Sequence, residues 1–167
     1  MRVIMFEGKL RSMTSLYILD GEEIFLLSRK GSRVVEDDSY TGTAGGHFEN
    51  DELNDAEKCV IRELFEELGL KRDDLENFSM RYVTLRLFGG EIRQNYYFFA
   101  NLKRGVQMPL SNEGRIEKFA LSDILVLKMP YTAKFVLEHF INIGRFDKNV
   151  YGGIASFEGV SFHRMNV

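Results

Sequence analysis

Cysteine, proline and long apolar runs are scarce in this chain, and each scarcity closes a route. Cys59 is the only cysteine, so no intramolecular disulfide can form, and a reducing compartment suits the chain. Pro109 and Pro130 are the only prolines, and no Pro/Gly/Ser-rich linker, repeat or low-complexity tract interrupts the 167 residues. One domain over 1–167 is therefore expected, with a core that needs no staples, although 144–167 has no clear place in it. No apolar run approaches the roughly 20 residues that a membrane span needs. Met1 to Glu7 is too short and too soon charged for a signal peptide, so a cytoplasmic protein is expected. An excess of basic charge is also lacking. The formal net charge of -3 gives no electrostatic case for binding a nucleic-acid polymer. A mononucleotide stays compatible, because a metal ion and a few cations can meet its phosphates.

Strand and helix signals alternate, which makes the fold class α/β. Arg2 to Glu7 and Ser15 to Leu19 read as strands, and Asp20-Gly21 as a tight turn into a buried strand over Glu22 to Ser28. Arg29 to Tyr40 reads as polar loop. Gly42, Gly45 and Gly46 make Thr41 to Glu49 a stretch of bent or closely approached backbone. Met80 to Leu87 and Ile92 to Leu102 read as long strands around Gly89-Gly90, and Ile116 to Leu121 as another. Tyr131 to Ile143 follows Pro130 as an amphipathic helix. Glycines break the β-like pattern of Val150 to Phe162.

The strongest helix signal begins at Asn54, a good N-cap with Glu57 three residues on, and stops at Gly69. Val60, Ile61, Leu64, Phe65 and Leu68 form one arc, and Arg62, Glu63, Glu66 and Glu67 the opposite one. Glu63, Glu66 and Glu67 stand at i, i+3 and i+4, where like charges repel by about 0.2–0.5 kcal/mol per pair. Lys71 lies four residues beyond Glu67, but Glu63 has no basic partner ahead of it. Two readings follow from the helix alone. One is a solvated acidic face. The other is a site for a hard divalent cation, which takes carboxylates, waters and substrate phosphates as ligands.

The wider pattern discriminates. Gly46, Glu52, Arg62-Glu63-Leu64, Glu66-Glu67 and Gly69-Leu70 together resemble the Nudix box. Arg62 to Leu70 matches at every specified position, and Gly46 to Glu52 matches in spacing. The join is longer: nine residues, Leu53 to Ile61, stand where seven are expected, and counting back from Arg62 puts Asn54 at the glutamate position. A two-residue extension of the loop before the helix leaves the helix face intact. It leaves open whether Glu52 reaches Arg62.

The resemblance implies a Nudix-type α/β/α sandwich with a mixed β-sheet. It also implies a pyrophosphohydrolase using Mg2+, with Mn2+ as a substitute. Glu63, Glu66 and Glu67 carry over as catalytic metal ligands, with the Gly46 carbonyl as a further ligand. Arg62 is expected to orient a carboxylate, the alternative being a surface ion pair. Glu113, in a loop before a strand, matches the place of a glutamate that serves metal or water in many members, or is simply a turn residue. Arg29, with Lys30 and Arg33, and Arg93 and Tyr96 are candidate substrate contacts, with Arg81 and Arg86 behind them; loop solvation and core packing are the alternatives. His47 reads as a structural loop residue and Cys59 as a small packing residue.

The substrate implied is a small nucleoside di- or triphosphate. MutT-type members of this size point to an oxidised purine nucleotide such as 8-oxo-dGTP. Hydrolysis of a nucleotide sugar or dinucleoside polyphosphate is the enzymatic alternative, and a non-catalytic nucleotide-binding module the alternative from another class. A homodimer is compatible with the family, and no membrane partner is expected.

Overall fold

The computed structural model describes residues 9–29 and 39–165. The strand expected at Arg2 to Glu7 and most of the loop after Arg29, with Lys30 and Arg33, lie outside the described residues. The strands are β1 (Lys9–Asp20), β2 (Glu23–Arg29), β3 (Tyr40–Thr41), β4 (Leu75–Phe88), β5 (Glu91–Leu102), β6 (Gly114–Ala120), β7 (Tyr151–Ser156) and β8 (Gly159–Arg164). The α-helices among the described residues are α1 (Ala56–Leu68) and α2 (Tyr131–Asn142).

All eight strands join one mixed sheet in the order β3-β2-β1-β5-β4-β7-β8, with β6 also paired to β2. The β1–β5 and β4–β7 pairs are parallel and the rest antiparallel. Side chains alternate between faces along each strand. Tyr17, Tyr97 and Phe99 therefore pack towards α2 with Val136, Leu137 and Phe140. Leu16, Ile18, Phe98 and Ala100 pack towards α1 with Val60, Leu64 and Leu68. The sheet lies between two helices, as the α/β/α expectation requires.

Three sequence expectations change. The N-cap of α1 is Asp55, whose carboxylate accepts from the Lys58 N–H at 2.9 Å, and not Asn54. A 3-10 turn over Asn50–Glu52 takes up the preceding chain and leaves Leu53 and Asn54 in a turn. Second, the buried arc of α1 is rotated: Phe65 is 56% exposed, whereas Cys59 and Glu67 are buried with Val60, Leu64 and Leu68. The Gly42–His47 loop covers that flank of α1, through the Gly45 N–H to Glu67 and the Gly46 and His47 carbonyls beside Cys59. Third, β1 is longer than Ser15 to Leu19, because its first half pairs residue by residue with β5 from Lys9↔Glu91 onward. Gly69 ends α1 as expected, with φ +68° and its N–H donating to the Phe65 carbonyl at 2.8 Å.

The glycine-broken tail forms the β7–β8 hairpin, added to the sheet beside β4. Glycine is needed at position 153, where a Cβ would meet the Phe162 ring at 2.8 Å. Arg81, a weak candidate for substrate contact, is instead buried beneath this tail. It donates to the carbonyls of Gly144 (2.6 Å) and Asn149 (2.9 Å) and to Asp147 (3.0 Å).

Candidate active site

The loop before α1 is stitched to β1. The Thr14 N–H donates to the Gly46 carbonyl and the Leu16 N–H to the Ala44 carbonyl, both at 2.8 Å. Gly45 sits at φ +140°, and a Cβ there would lie 2.9 Å from Ser15 Cα. Only glycine tolerates that combination. At Gly46 the obstacle is chemical: a Cβ would lie 2.6 Å from the Glu63 carboxyl carbon. Glycine at 46 therefore makes the space that the Glu63 carboxylate occupies. The Gly46 carbonyl itself, expected as a metal ligand, is turned to β1 and also takes the Thr14 hydroxyl at 3.4 Å.

Arg62 holds the acidic helix together. Its Nε and Nη2 donate to the two oxygens of Glu52 at 2.7 and 3.0 Å, although the loop between them is extended. Its Nη1 donates to Glu63 Oε1 and Glu66 Oε2, each at 2.9 Å, and its Nη2 also reaches the His47 carbonyl at 3.1 Å. The planar guanidinium fork fits such two-pronged pairing. Arg62 thus donates to three carboxylates, those of Glu52, Glu63 and Glu66. Glu52 is 1% exposed, and the Arg62 hydrogen bonds hold its carboxyl down at about 2.

The other glutamates differ in environment. Glu66 is the most exposed, with 54% of its side chain accessible. Burial pushes the Glu63 carboxyl up, opposed by Arg62. Burial pushes Glu67 further, to about 7, opposed by the Gly45 N–H that donates to it at 3.2 Å. Glu63 and Glu113 also raise it by repulsion, and Arg29 lowers it. Glu113 therefore lies within electrostatic reach of Glu67. Its loop docks on the end of α1, where Asn112 Nδ2 donates to the Glu66 carbonyl at 3.0 Å. The structure thus brings Arg62, Glu63, Glu66, Glu67 and Glu113 to one end of the sheet. A buried carboxylate raised towards neutrality beside two more glutamates suits a hard divalent cation, whose charge would relieve their repulsion.

Glu49, Asp51 and Glu52 also place carboxylate oxygens within 4.8 Å of one another. This trio is already served: Glu52 by Arg62, and Asp51 by Lys58 at 2.6 Å. Glu52 also accepts from the Glu49 N–H at 2.9 Å. It organises the entry to α1. Cys59 is fully buried against Thr14 and the Gly46 and His47 carbonyls. Burial pushes its thiol up to about 11, so it packs and is no nucleophile.

Beside Glu67 opens a cavity of about 360 Å³, walled by β1, β4, β5, the glycine loop and the start of α2. Arg29 and Arg93, two of the candidate substrate contacts, line it. Tyr96 does not. It faces the α1 side and packs against Phe48, with ring centroids 5.5 Å apart. The strand alternation puts Tyr97 and Asn95 in the cavity instead. Asn95, Arg86, Ser15 and Thr84, none singled out from sequence as more than a weak candidate, also line it. The signal available was parity with Arg93 along β5, once the buried face was known.

The site geometry coincides with a family match: the NUDIX domain model matches residues 9–140. The chain belongs to the NUDIX domain family. That membership brings the enzyme class, a hydrolase of phosphoric anhydride bonds. No curated protein sequence matches this chain. Among solved structures, this NUDIX chain is similar to a mutator MutT protein from Bacillus halodurans. The TM-score is 0.66 at 18% identity, covering 92% of this chain and 97% of that one. A MutT NUDIX hydrolase from Burkholderia pseudomallei gives 0.62 at 26% identity, with 78% and 98% covered. A C. elegans Ap4A hydrolase gives 0.64 at 19%, with 82% and 99% covered. Among the described residues, no helix of this NUDIX protein is long and apolar enough to cross a membrane.

Proposed function

We propose that the chain is a cytoplasmic, Mg2+-dependent NUDIX hydrolase of a nucleoside di- or triphosphate-type substrate. The observation that carries this is Glu67 in the lining of the cavity with Arg29 and Arg93, on the same helix as Glu63 and Glu66, whose carboxylates Arg62 holds. Glu63, Glu66 and Glu67 hold the metal in this reading, and Mn2+ substitutes. A bound divalent cation supplies charge neutralisation on the diphosphate and a more acidic water. The chain's own groups do the rest. Arg62 fixes Glu63 Oε1 and Glu66 Oε2 through one nitrogen, Nη1. Arg29, whose Nε has no hydrogen-bond partner among the described residues, donates to the phosphates. Glu113, near Glu67, offers a further carboxylate to position water.

The experiment is a panel of nucleotides incubated with pure protein and Mg2+ or Mn2+, with 8-oxo-dGTP the first oxidised purine to try. Release of phosphate or pyrophosphate is expected. No turnover on any member with either metal would overturn the reading. A second reading, a nucleotide sugar or dinucleoside polyphosphate, is supported by the likeness of the fold to that of the C. elegans Ap4A hydrolase. Ranking the panel by kcat/KM separates the two.

A further inference from the structure

On the α2 face of the sheet, one row of cross-strand neighbours carries like charge on three adjacent strands. Arg11 on β1 stands opposite Arg93 on β5, and Arg93 stands opposite Arg86 on β4. Like charges directly opposite on a sheet destabilise it. The only carboxylate paired to this row among the described residues is Glu91, 3.6 Å from Arg11 and 3.5 Å from Arg93. Arg93 Nε is within ion-pair range of Glu91 but makes no hydrogen bond among the described residues, and neither does Asn95 Oδ1, in the next row. Arg86 is held over the rings of Phe88 (4.7 Å) and Tyr131 (4.8 Å), which fixes its plane and leaves its N–H edge for in-plane bonds. Arg86 and Arg93 both line the cavity whose other rim is Glu67.

A fold selected for stability alone would not set three guanidiniums in a line with one carboxylate between them. Arginine only donates hydrogen bonds, so the row calls for an acceptor of opposite charge. A neutral base would leave the charge of Arg93 and Arg86 uncompensated inside the cavity. We propose that the Arg11–Arg93–Arg86 row binds a non-scissile phosphate monoester of the substrate, remote from the anhydride served by the acidic helix. This deepens, and rests on, the hydrolase reading above. The substrate class is then a diphosphate ester that carries a further phosphate at its other end.

Two arms test this, and they fail separately. In the first, without metal and with EDTA present, adenosine 5′-monophosphate and adenosine are titrated calorimetrically into wild-type protein, Arg93→Gln, Arg86→Gln and the control Arg115→Gln, an exposed arginine on β6. The monophosphate is expected to bind wild type and Arg115→Gln alike, and to bind each row variant about tenfold or more weakly. Adenosine should not distinguish the proteins. Equal monophosphate binding to wild type and both row variants overturns the proposal, whatever the enzyme does. In the second arm, with Mg2+, adenosine 5′-diphosphate esters with and without a 3′-phosphate are compared. The 3′-phosphate is expected to raise kcat/KM about tenfold or more in wild type and to lose that advantage in Arg93→Gln. Hydrolysis of both esters at equal kcat/KM overturns the proposed substrate class. Hydrolysis of neither overturns the hydrolase reading and leaves the first arm to decide the site.

Discussion

Glu52 and Arg62 form a two-pronged ion pair across the loop that joins the glycine segment to α1, with N···O distances of 2.7 and 3.0 Å. The glutamate is buried to 1% exposure, while the arginine goes on to Glu63 and Glu66. One buried carboxylate thereby sets the position of the guanidinium that aligns two candidate metal ligands. Glu52→Gln should cost about 3 kcal/mol, the usual scale for breaking a buried pair by removing one partner. The sign of its pH dependence follows from the lowered pKa. Glu52 keeps its charge down to about 2 in the folded chain, against 4.5 ordinarily. Its contribution is therefore complete above pH 4.5 and is lost as pH falls from there towards 2. Thermal melts of both proteins between pH 7 and pH 3 check this. The gap in Tm should narrow below pH 4.5, and a constant gap would contradict it.

Gly46→Ala tests the space made for Glu63. The new methyl would stand 2.6 Å from the Glu63 carboxyl carbon, so the carboxylate must move or the loop must shift. Overpacking of this kind costs about 1–3 kcal/mol. Displacing a ligand's carboxylate should also weaken metal binding by about tenfold or more, as disturbing a ligand's support commonly does. Mn2+ binding followed by electron paramagnetic resonance reads the second effect directly. Unaltered affinity in a folded variant would remove Glu63 from the ligand set.

The tail is expected to fold as part of the same cooperative unit, making 1–167 one domain. Phe162 packs against His139 and Tyr82, with centroids 4.7 and 5.5 Å away, and Tyr82 donates to or accepts from His139 Nδ1 at 2.9 Å. Phe162→Ala should cost about 2 kcal/mol, below the range for a fully buried ring because this one is half-buried. Calorimetry of the wild type should give one transition, shifted down as a whole in the variant. Two separable transitions would make the tail an independent unit.

How far the sequence could be read depended on which signals were local. The α1 boundaries at Gly69 and near Asp55, the Gly89-Gly90 hairpin and the helix after Pro130 all rest on residues within a few positions of one another. Their chemistry is therefore visible in the string. The two-residue extension before α1 leaves the Glu52 contact open in the sequence; the 3-10 turn over Asn50–Glu52 absorbs it and returns Glu52 to Arg62. Long-range facts were hidden. Glu67 is buried because a loop twenty-two residues upstream covers it through Gly45. Tyr96 and Tyr97 cannot be told apart in the string, because parity along β5 has no sign until the positions of both helices are known. The Arg11–Arg93–Arg86 row spans three strands and exists only in the register of the sheet. The tail escaped because Gly152 and Gly153 leave no alternation to read, although Gly153 is there to admit Phe162.

The most direct measurement is Mg2+-dependent release of phosphate or pyrophosphate from the best nucleotide of the panel by wild type, Glu66→Gln and Glu67→Gln, each verified as folded by its melt. Wild type should turn over and should stop when EDTA removes the metal. Each glutamine variant should fall by more than about 100-fold, beyond what loss of a ligand's outer support costs. Undiminished turnover in folded Glu66→Gln and Glu67→Gln would contradict the assignment of the acidic helix as the catalytic metal site.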